Sequence, residues 1–248
     1  YIINICKKVY GEMYFLKKSR KAVFTVQKVG MLNESSLHRE IIRYFYTPGD
    51  ILEFPVKGYF VDIYRKGVLI EVQLGQFSSM KDKLGDLLSE YRIRIVYPIV
   101  LCKYIEKRNV AGVVVSKRKS PKNGCKYDLF DQTIRIAQFM GNPNLSFELI
   151  YINLLEVRTD DGKGSYRRKG VSISDRFLLS VQGTEKIEKK EDFLHFLPEG
   201  TGKFTNKELK QALGIKINTA RKMTYSLNAC GIIHQTAKIG NEKVWSIL

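Results

Sequence analysis

Two acidic residues stand on neighbouring predicted strands within residues 57–84. Asp62 lies near the end of one apolar run and Glu71 lies within the next, with a turn at 65–67 between them. Gln73 follows on the same strand face as Glu71, because side chains alternate along a strand. Two carboxylates from adjacent strands can hold Mg²⁺ or Mn²⁺, which neutralises a phosphate group and activates water. We therefore predict a divalent-cation site for phosphodiester hydrolysis; the alternative is a pair of surface acids beside a hairpin.

Other polar residues near this segment could complete the site. Glu34, at the start of the first predicted helix, could supply a further acid, as could Glu40. Lys81 or Lys83, from the helix that follows the strands, could bring a positive charge to the transition state. His38 is interpreted as a histidine on the helix surface rather than a metal ligand.

The sequence GYFVDIYRKGVLIEVQLGQF at 58–77 resembles the core of the PD-(D/E)xK nucleases, which have the restriction-endonuclease-like fold. Those enzymes place an aspartate, an acid-x-lysine pair and often a helical glutamate around Mg²⁺. The resemblance implies that Asp62 and Glu71 bind the metal ion. It also implies that Glu34 is the helical acid, since Glu34 stands where the first helix opens.

Gln73 departs from the pattern of this family, because most members have lysine at that position. Active members with glutamine exist, and a lysine from the next helix sometimes compensates for the change. The resemblance therefore implies a catalytic set that includes Gln73 and Lys83, with Lys81 as the alternative to Lys83.

The order of predicted elements indicates a mixed α/β sheet flanked by helices. The predicted elements are helix 34–45, strands 51–56, 58–64 and 67–73, helix 78–91, strand 91–100, helix 129–140 and strand 145–157. Three further segments, 116–131, 156–170 and 174–181, resemble an uncharacterised prokaryotic family. That family joins a nuclease-like core to a C-terminal winged helix.

The last part of the chain has its own pattern. A capping box at Thr205 and Glu208 opens one helix, a longer helix ends at Gly231, and two strands then meet at a turn at 240–241. This order is typical of a winged helix-turn-helix. The charge-dense segment 185–192 is the predicted linker. The predicted domains are an N-terminal extension (1–30), a nuclease-like domain with basic loops (31–190) and a winged helix-turn-helix domain (191–248).

The net charge of +17, from 42 basic and 25 acidic residues, indicates a polyanionic partner, either nucleic acid or an acidic membrane surface. No apolar run reaches the roughly 18 residues of a membrane span, so we expect no membrane insertion. The four cysteines form no CxxC pair, which argues against a zinc site. Such scattered thiols are typical of a reducing interior, and a cytoplasmic location is the expectation.

Basic residues beside glycines are the predicted contacts to nucleic acid. Cations on flexible loops can bind phosphate groups without recognising the base sequence. The predicted contacts are Lys117, Arg118, Lys119, Lys122, Arg167, Arg168, Lys169, Arg221 and Lys222. The last two lie on the long C-terminal helix, with Thr219 and Tyr225, and could enter a major groove. That helix could equally serve packing or dimerisation.

Three functions follow from these observations. The first is a metal-dependent nuclease that acts on double-stranded DNA. The second is a catalytically silent, regulatory DNA-binding protein on a nuclease-like scaffold, which Gln73 favours. The third is an RNA-directed enzyme of the same fold. The sequence does not give the oligomeric state, but a homodimer is compatible with the first function, because double-strand cleavage by this fold commonly needs two active sites.

Overall fold

A mixed β-sheet with helices on both faces dominates residues 35–248, the part of the chain that the computed structural model describes. The predicted fold class of a mixed α/β sheet flanked by helices is confirmed. The predicted N-terminal extension at 1–30 and Glu34 lie outside the described residues. No helix within the described range combines the length and the apolar character needed to cross a bilayer.

Helix α1 spans Ser36–Phe45, where the apolar spacing predicts a helix. The side chain of Ser35 caps the first turn by accepting a hydrogen bond from the backbone N–H of His38. Leu37 and Ile41, one turn apart, are both buried against the sheet. The apolar face that predicted the helix is therefore the face that the helix buries.

Three antiparallel strands follow α1, within one residue of their predicted bounds. They are β1 (Ile51–Val56), β2 (Tyr59–Arg65) and β3 (Val68–Val72). Two-residue turns join them, Lys57-Gly58 and Lys66-Gly67, and all four of these residues have positive φ. Two-residue hairpin turns of this kind require positive φ, which explains the glycine at the second position of each.

Helix α2 carries the chain from β3 to β4, a strand that runs parallel to β3. It spans Lys81–Leu87 after a 3-10 turn at Phe77–Met80, and β4 spans Arg92–Arg108. Leu84 and Leu87 of α2 are buried on the sheet face opposite α1. Helices α1 and α2 therefore cover the two faces of β3 and can place side chains on both sides of it.

Long strands complete the sheet, whose order is β1-β2-β3-β4-β6-β7 with β5 paired to β4. The remaining strands are β5 (Val114–Lys119), β6 (Leu145–Asp160) and β7 (Val171–Ile187). Strand β6 is parallel to β4, and β7 is antiparallel to β6. Strands β4 and β6 continue beyond the predicted 91–100 and 145–157 and form, with β5 and β7, a four-stranded region that we call the sheet extension (103–119 and 154–178).

Two local predictions are wrong in this region. The cationic residues 117–119 lie in strand β5, not in a loop. The single helix predicted at 129–140 is a four-residue helix, α3 (Phe130–Thr133), between the 3-10 turns Lys126–Leu129 and Ala137–Phe139. The hydroxyl of Thr133, the last residue of α3, lies 2.9 Å from that of Ser226 in the C-terminal part.

The C-terminal part contains two helices and a small antiparallel sheet with the order β8-β10-β9. Its elements are a 3-10 segment (Lys190–Phe196), β8 (Phe204–Thr205), α4 (Asn206–Leu213), α5 (Ile217–Ala229), β9 (Ile233–Ile239) and β10 (Glu242–Ile247). The predicted capping box is present, because Thr205 and Glu208 exchange hydrogen bonds.

The predicted linker at 185–192 is wrong in its first half. Residues up to Ile187 belong to β7, and Ile187 is buried. Phe193 and Phe196, which follow, stack edge-on or tilted against Phe130 and belong to the same core cluster as Phe147 of the large sheet. The core therefore continues from the sheet into the C-terminal part.

Candidate active site

Strands β2 and β3 separate beside Asp62. Their ladder ends with the pair Ile63 and Ile70, so Asp62 and Glu71 stand at the next position of the same register. The carboxylate of Asp62 accepts a hydrogen bond from the backbone N–H of Val72 at 2.7 Å. A side-chain oxygen thus replaces a strand partner, and the two acids lie where the strands diverge.

Glu71 lies on the α2 side of this opening and is only 9% exposed. Its Oε1 accepts a hydrogen bond from the ammonium of Lys83 at 2.8 Å. Its Oε2 is buried and has no hydrogen-bond partner within residues 35–248. Burial and the neighbouring charge of Asp62 raise the pKa of Glu71 to about 7, although Lys83 and the backbone amide of Asp62 oppose the rise.

Lys83 reaches the acids from α2, as predicted. Its ammonium also donates to the backbone carbonyl of Phe60 at 2.8 Å, and its side chain is largely buried. Lys81, the alternative, is exposed on the same helix. We call the group of Asp62, Glu71 and Lys83 the acid fork; two carboxylates and one ammonium leave it with a formal charge of −1 when both acids are ionised.

His38 is the residue of this site that the sequence analysis missed. Its Nε2 lies 3.0 Å from the carbonyl oxygen of Val72 and 3.3 Å from Oδ2 of Asp62. Because both neighbours are acceptors, Nε2 carries the hydrogen. The surface interpretation was wrong, and a signal existed: His38 is one turn before Ile41, at the margin of the buried helix face.

The other predicted members of the site are not all at the fork. Glu40 is turned towards β7, where it accepts a hydrogen bond from the backbone N–H of Leu178 at 2.6 Å, so the proposal that Glu40 joins the acids is wrong. Burial raises the pKa of Glu40 despite that bond. Gln73 follows the last residue of β3, is half-buried, and donates its backbone N–H to Val96.

The acid fork fits a divalent cation by the chemistry of its donors. Carboxylate oxygens are the ligands that Mg²⁺ prefers, and Oε2 of Glu71 is a buried oxygen without a donor inside residues 35–248. A cation there would also relieve the repulsion between Asp62 and Glu71. A cluster of three or more His, Cys, Asp or Glu side chains suited to a metal ion does not occur in residues 35–248, so water or backbone oxygens would complete the coordination.

The predicted nucleic-acid contacts lie in three separate places. Lys117, Arg118 and Lys119 project from β5 in the sheet extension, and Lys117 lies 3.6 Å from Glu106. Lys122 is exposed in the segment after β5. These cations therefore belong to an ordered strand edge and its continuation.

The second place is the tip of the β6–β7 hairpin. Arg167 and Arg168 lie in a 3-10 turn that Lys169 follows, and Arg168 donates to the carbonyl of Val171 at 3.0 Å. The hairpin is tightly closed, because a Cβ atom on Gly164 would lie 1.9 Å from that same carbonyl oxygen. The cations thus sit on a constrained turn.

The third place is helix α5. Arg221 is exposed, and Tyr225 beside it is 58% exposed. The ammonium of Lys222 lies 2.9 Å from the carboxylate of Asp131 in α3, so the charge of Lys222 is compensated within the protein. Arg221 is accordingly the better placed of the two predicted helix contacts.

The chain is similar to one protein family and to an uncharacterized relative. A family model described as domain of unknown function DUF8091 matches residues 35–188, more than half of the chain. An uncharacterized protein of Treponema pallidum (strain Nichols) is 31% identical over 176 residues, which cover 69% of this chain and 70% of the relative. No solved structure gave a significant match.

Proposed function

This chain belongs to the DUF8091 family, and we propose that it is a metal-dependent nuclease that hydrolyses phosphodiester bonds in DNA. The observation that carries the proposal is the buried Oε2 of Glu71, which has no partner in the described residues and faces the charge of Asp62. A buried oxygen without a hydrogen-bond donor destabilises the folded state. Binding of a ligand to that oxygen would explain why the protein has it. The ligand that suits two carboxylates is a divalent cation.

Each residue of the acid fork has a role in this proposal. Asp62 and Glu71 hold Mg²⁺ or Mn²⁺, which when bound supplies charge neutralisation at the phosphate and an activated water. The backbone N–H of Val72 and Nε2 of His38 both contact Oδ2 of Asp62 and orient that carboxylate. Lys83 stabilises negative charge beside Glu71, in place of the lysine that most PD-(D/E)xK nucleases, which the sequence resembles, carry at the position of Gln73.

The fold supports the same proposal. Helix α1, the strands β1 to β3, the crossover helix α2 and the parallel strand β4 form a mixed α/β core, and we propose that this core is restriction-endonuclease-like. Helices α4 and α5 with the small sheet β8-β10-β9 are proposed to be a winged helix-turn-helix. Its exposed Arg221 and Tyr225 would contact duplex DNA, and the cations at 167–169 would contact phosphates.

A second candidate is a catalytically silent DNA-binding protein with a regulatory role. The contact that favours it is the ion pair between Lys83 and Glu71 at 2.8 Å, which already balances one of the two acids. Gln73 points the same way, because it cannot supply the usual cation. In this case the acid fork would be a structural charge cluster.

Cleavage assays separate the two candidates. The protein is incubated with plasmid and with single- and double-stranded DNA and RNA oligonucleotides in Mg²⁺ or Mn²⁺, beside Asp62→Ala and Glu71→Ala. We expect DNA cleavage that falls by about 100-fold or more in both variants. Asp82→Ala, which removes an exposed acid of α2, is the matched control and should cleave normally.

Absence of cleavage on every substrate, with salt-sensitive DNA binding retained, would establish the silent binding protein instead. Cleavage confined to RNA would show that the substrate is RNA and not DNA, with the acid fork still the active site. Cleavage that survives both substitutions at the fork would show that hydrolysis occurs elsewhere.

A further inference from the structure

A cleft of about 270 Å³ opens between α1, the sheet and the segment after β5. Its apolar wall includes Leu37 and Leu74. Leu37 precedes His38 in α1, and Leu74 directly follows Gln73 after β3. Its volume is slightly below the roughly 300–1,000 Å³ of typical small-molecule sites, which suits a phosphate with its sugar and not a whole duplex.

The charged wall of the cleft is built around Glu156, which is only 2% exposed. Three cations surround its carboxylate: Arg158 at 2.6 Å, Arg176 at 3.1 Å and Lys103 at 3.5 Å. We call these four residues the Glu156 cluster. Glu156, Lys103 and Arg176 line the cleft itself, and Lys122 and Asp128 line it from the opposite segment, so three cations and two carboxylates form its charged lining.

The Glu156 cluster contains more cations than are needed to neutralise its single carboxylate. Burial alone would raise the pKa of Glu156, yet the hydrogen bonds from Arg158 and Arg176 and the charge of Lys103 hold that pKa below its ordinary value. The carboxylate is therefore ionised at neutral pH. Three cations against one carboxylate leave a formal charge of +2, and none of the three has another ion pair within residues 35–248.

Donors in the cluster remain available for a ligand. Arg176 uses only its Nε towards Glu156, and its side chain is 40% exposed. Its two terminal nitrogens carry N–H groups in the planar arrangement that binds two oxygens of a phosphate at once. Lys103 approaches Glu156 only at the limit of hydrogen bonding, so its ammonium can also turn to an anion.

We propose that this cleft is a phosphate-binding site in which Arg176, Lys103 and Lys122 contact a phosphate group of a nucleotide unit. Glu156 positions Arg176 and Lys103 and limits their repulsion in the absence of ligand, and Arg158 holds the carboxylate of Glu156. As a contact to a nucleic-acid substrate beside the scissile bond, the assignment rests on the proposed function. As an anion site it does not, because binding can be measured without a metal ion and without cleavage.

The test measures binding in EDTA at constant ionic strength. The probes are a fluorescent DNA oligonucleotide without terminal phosphate and, as competitors, a nucleoside monophosphate and inorganic phosphate. We expect Arg176→Gln and Lys103→Gln each to weaken anion binding by about tenfold, since a hydrogen bond to a charged group contributes about that factor. Lys186→Gln, on the same strand as Arg176 but away from the cleft, is the matched control and should bind as the wild-type protein does.

The competitors identify the source of the phosphate. Displacement of the oligonucleotide by the mononucleotide, lost in Arg176→Gln, supports a shared site for one nucleotide unit. Binding of the mononucleotide alone supports a site for a free nucleotide. Equal affinities of wild-type protein, Arg176→Gln and Lys103→Gln for all three anions would overturn the proposal, whatever the cleavage assays show.

Glu156→Gln should strengthen phosphate binding, whereas Arg176→Gln and Lys103→Gln should weaken it. A gain of binding cannot result from unfolding of the variant. Removal of the carboxylate leaves three cations without an acid, so the variant is less stable alone but binds phosphate more tightly. We expect inorganic phosphate to raise its Tm more than it raises the wild-type Tm. An equal or smaller rise would show that Glu156 and its cations have only a structural role and would overturn the assignment.

Discussion

The acid fork and the Glu156 cluster are built from the same groups in opposite proportions. At the fork two carboxylates share one ammonium, and one carboxylate oxygen of Glu71 has no donor among the described residues. In the cluster one carboxylate contacts three cations, and two of these, Lys103 and Arg176, line a cleft. The fork therefore carries an excess of negative charge and the cluster an excess of positive charge. A phosphodiester with a bound metal ion presents both.

The charge excess at the fork and at the cluster also distinguishes a functional role from a purely structural one. If ion pairs served only stability, one acid with one base would suffice, because further buried charge costs more than it returns. The excess at each place has to be tested by removing the minority charge and the majority charge in turn.

Lys83→Met should have the largest effect on stability. It leaves the buried carboxylate of Glu71 without its ammonium, which costs about 3–5 kcal/mol for a buried pair. Chemical denaturation at pH 8, where Glu71 is ionised, measures the loss, and at pH 5 the loss should be smaller. Lys81→Met, on the exposed side of the same helix, should stay within about 0.5 kcal/mol. Equal effects of the two variants would contradict the role of Lys83 at the fork.

Glu71 should make the metal-free protein less stable as the pH rises. Its folded pKa of about 7 lies above its ordinary value of 4.5, so the folded state holds the proton more tightly in between. The free energy of unfolding should therefore fall as the pH rises from 4.5 to 7 and then level off, by up to about 3 kcal/mol.

Denaturation of wild-type protein and Glu71→Gln in EDTA at several pH values isolates this contribution. The variant should lack the fall, while Glu199→Gln, an exposed acid, should retain it. Parallel curves for wild-type protein and Glu71→Gln would show that Glu71 is not the buried acid of raised pKa.

The smallest effect is expected at the hairpin tip. Arg167→Gln with Arg168→Gln should weaken DNA binding a few-fold for all sequences alike, because these contacts do not read bases. The slope of log affinity against log salt should fall by about 1 to 2, as one or two phosphate contacts are lost. Anisotropy titrations at several salt concentrations measure the slope, with Lys186→Gln as an exposed control. An unchanged slope would remove the tip from the binding surface.

The β2–β3 hairpin of the acid fork was predictable because the sequence features that define it lie within a few residues of one another. Gly58 and Gly67 mark the two turns, and Asp62 and Glu71 follow from the register that a two-residue turn imposes. Lys83 was predictable because its helix follows at once. Local periodicity and turn chemistry were sufficient for these contacts.

The sheet extension and the Glu156 cluster were not predictable in the same way. Residues such as Lys103, Glu156 and Arg176 look like a solvated face when each segment is considered alone. They meet only because β4 pairs with β6 and β6 with β7, contacts between residues distant in the chain. His38 was missed for the same reason, since its partners Asp62 and Val72 come from other elements.

Calorimetric titration of Mn²⁺ into the protein at pH 8 tests the central claim most directly. The wild-type protein should bind a Mn²⁺ ion, and Asp62→Asn and Glu71→Gln should each lose that binding, while Asp82→Asn should keep it. Wild-type affinity retained in both fork variants would show that the two acids do not hold the metal ion, and the account of the acid fork as a hydrolytic centre would be contradicted.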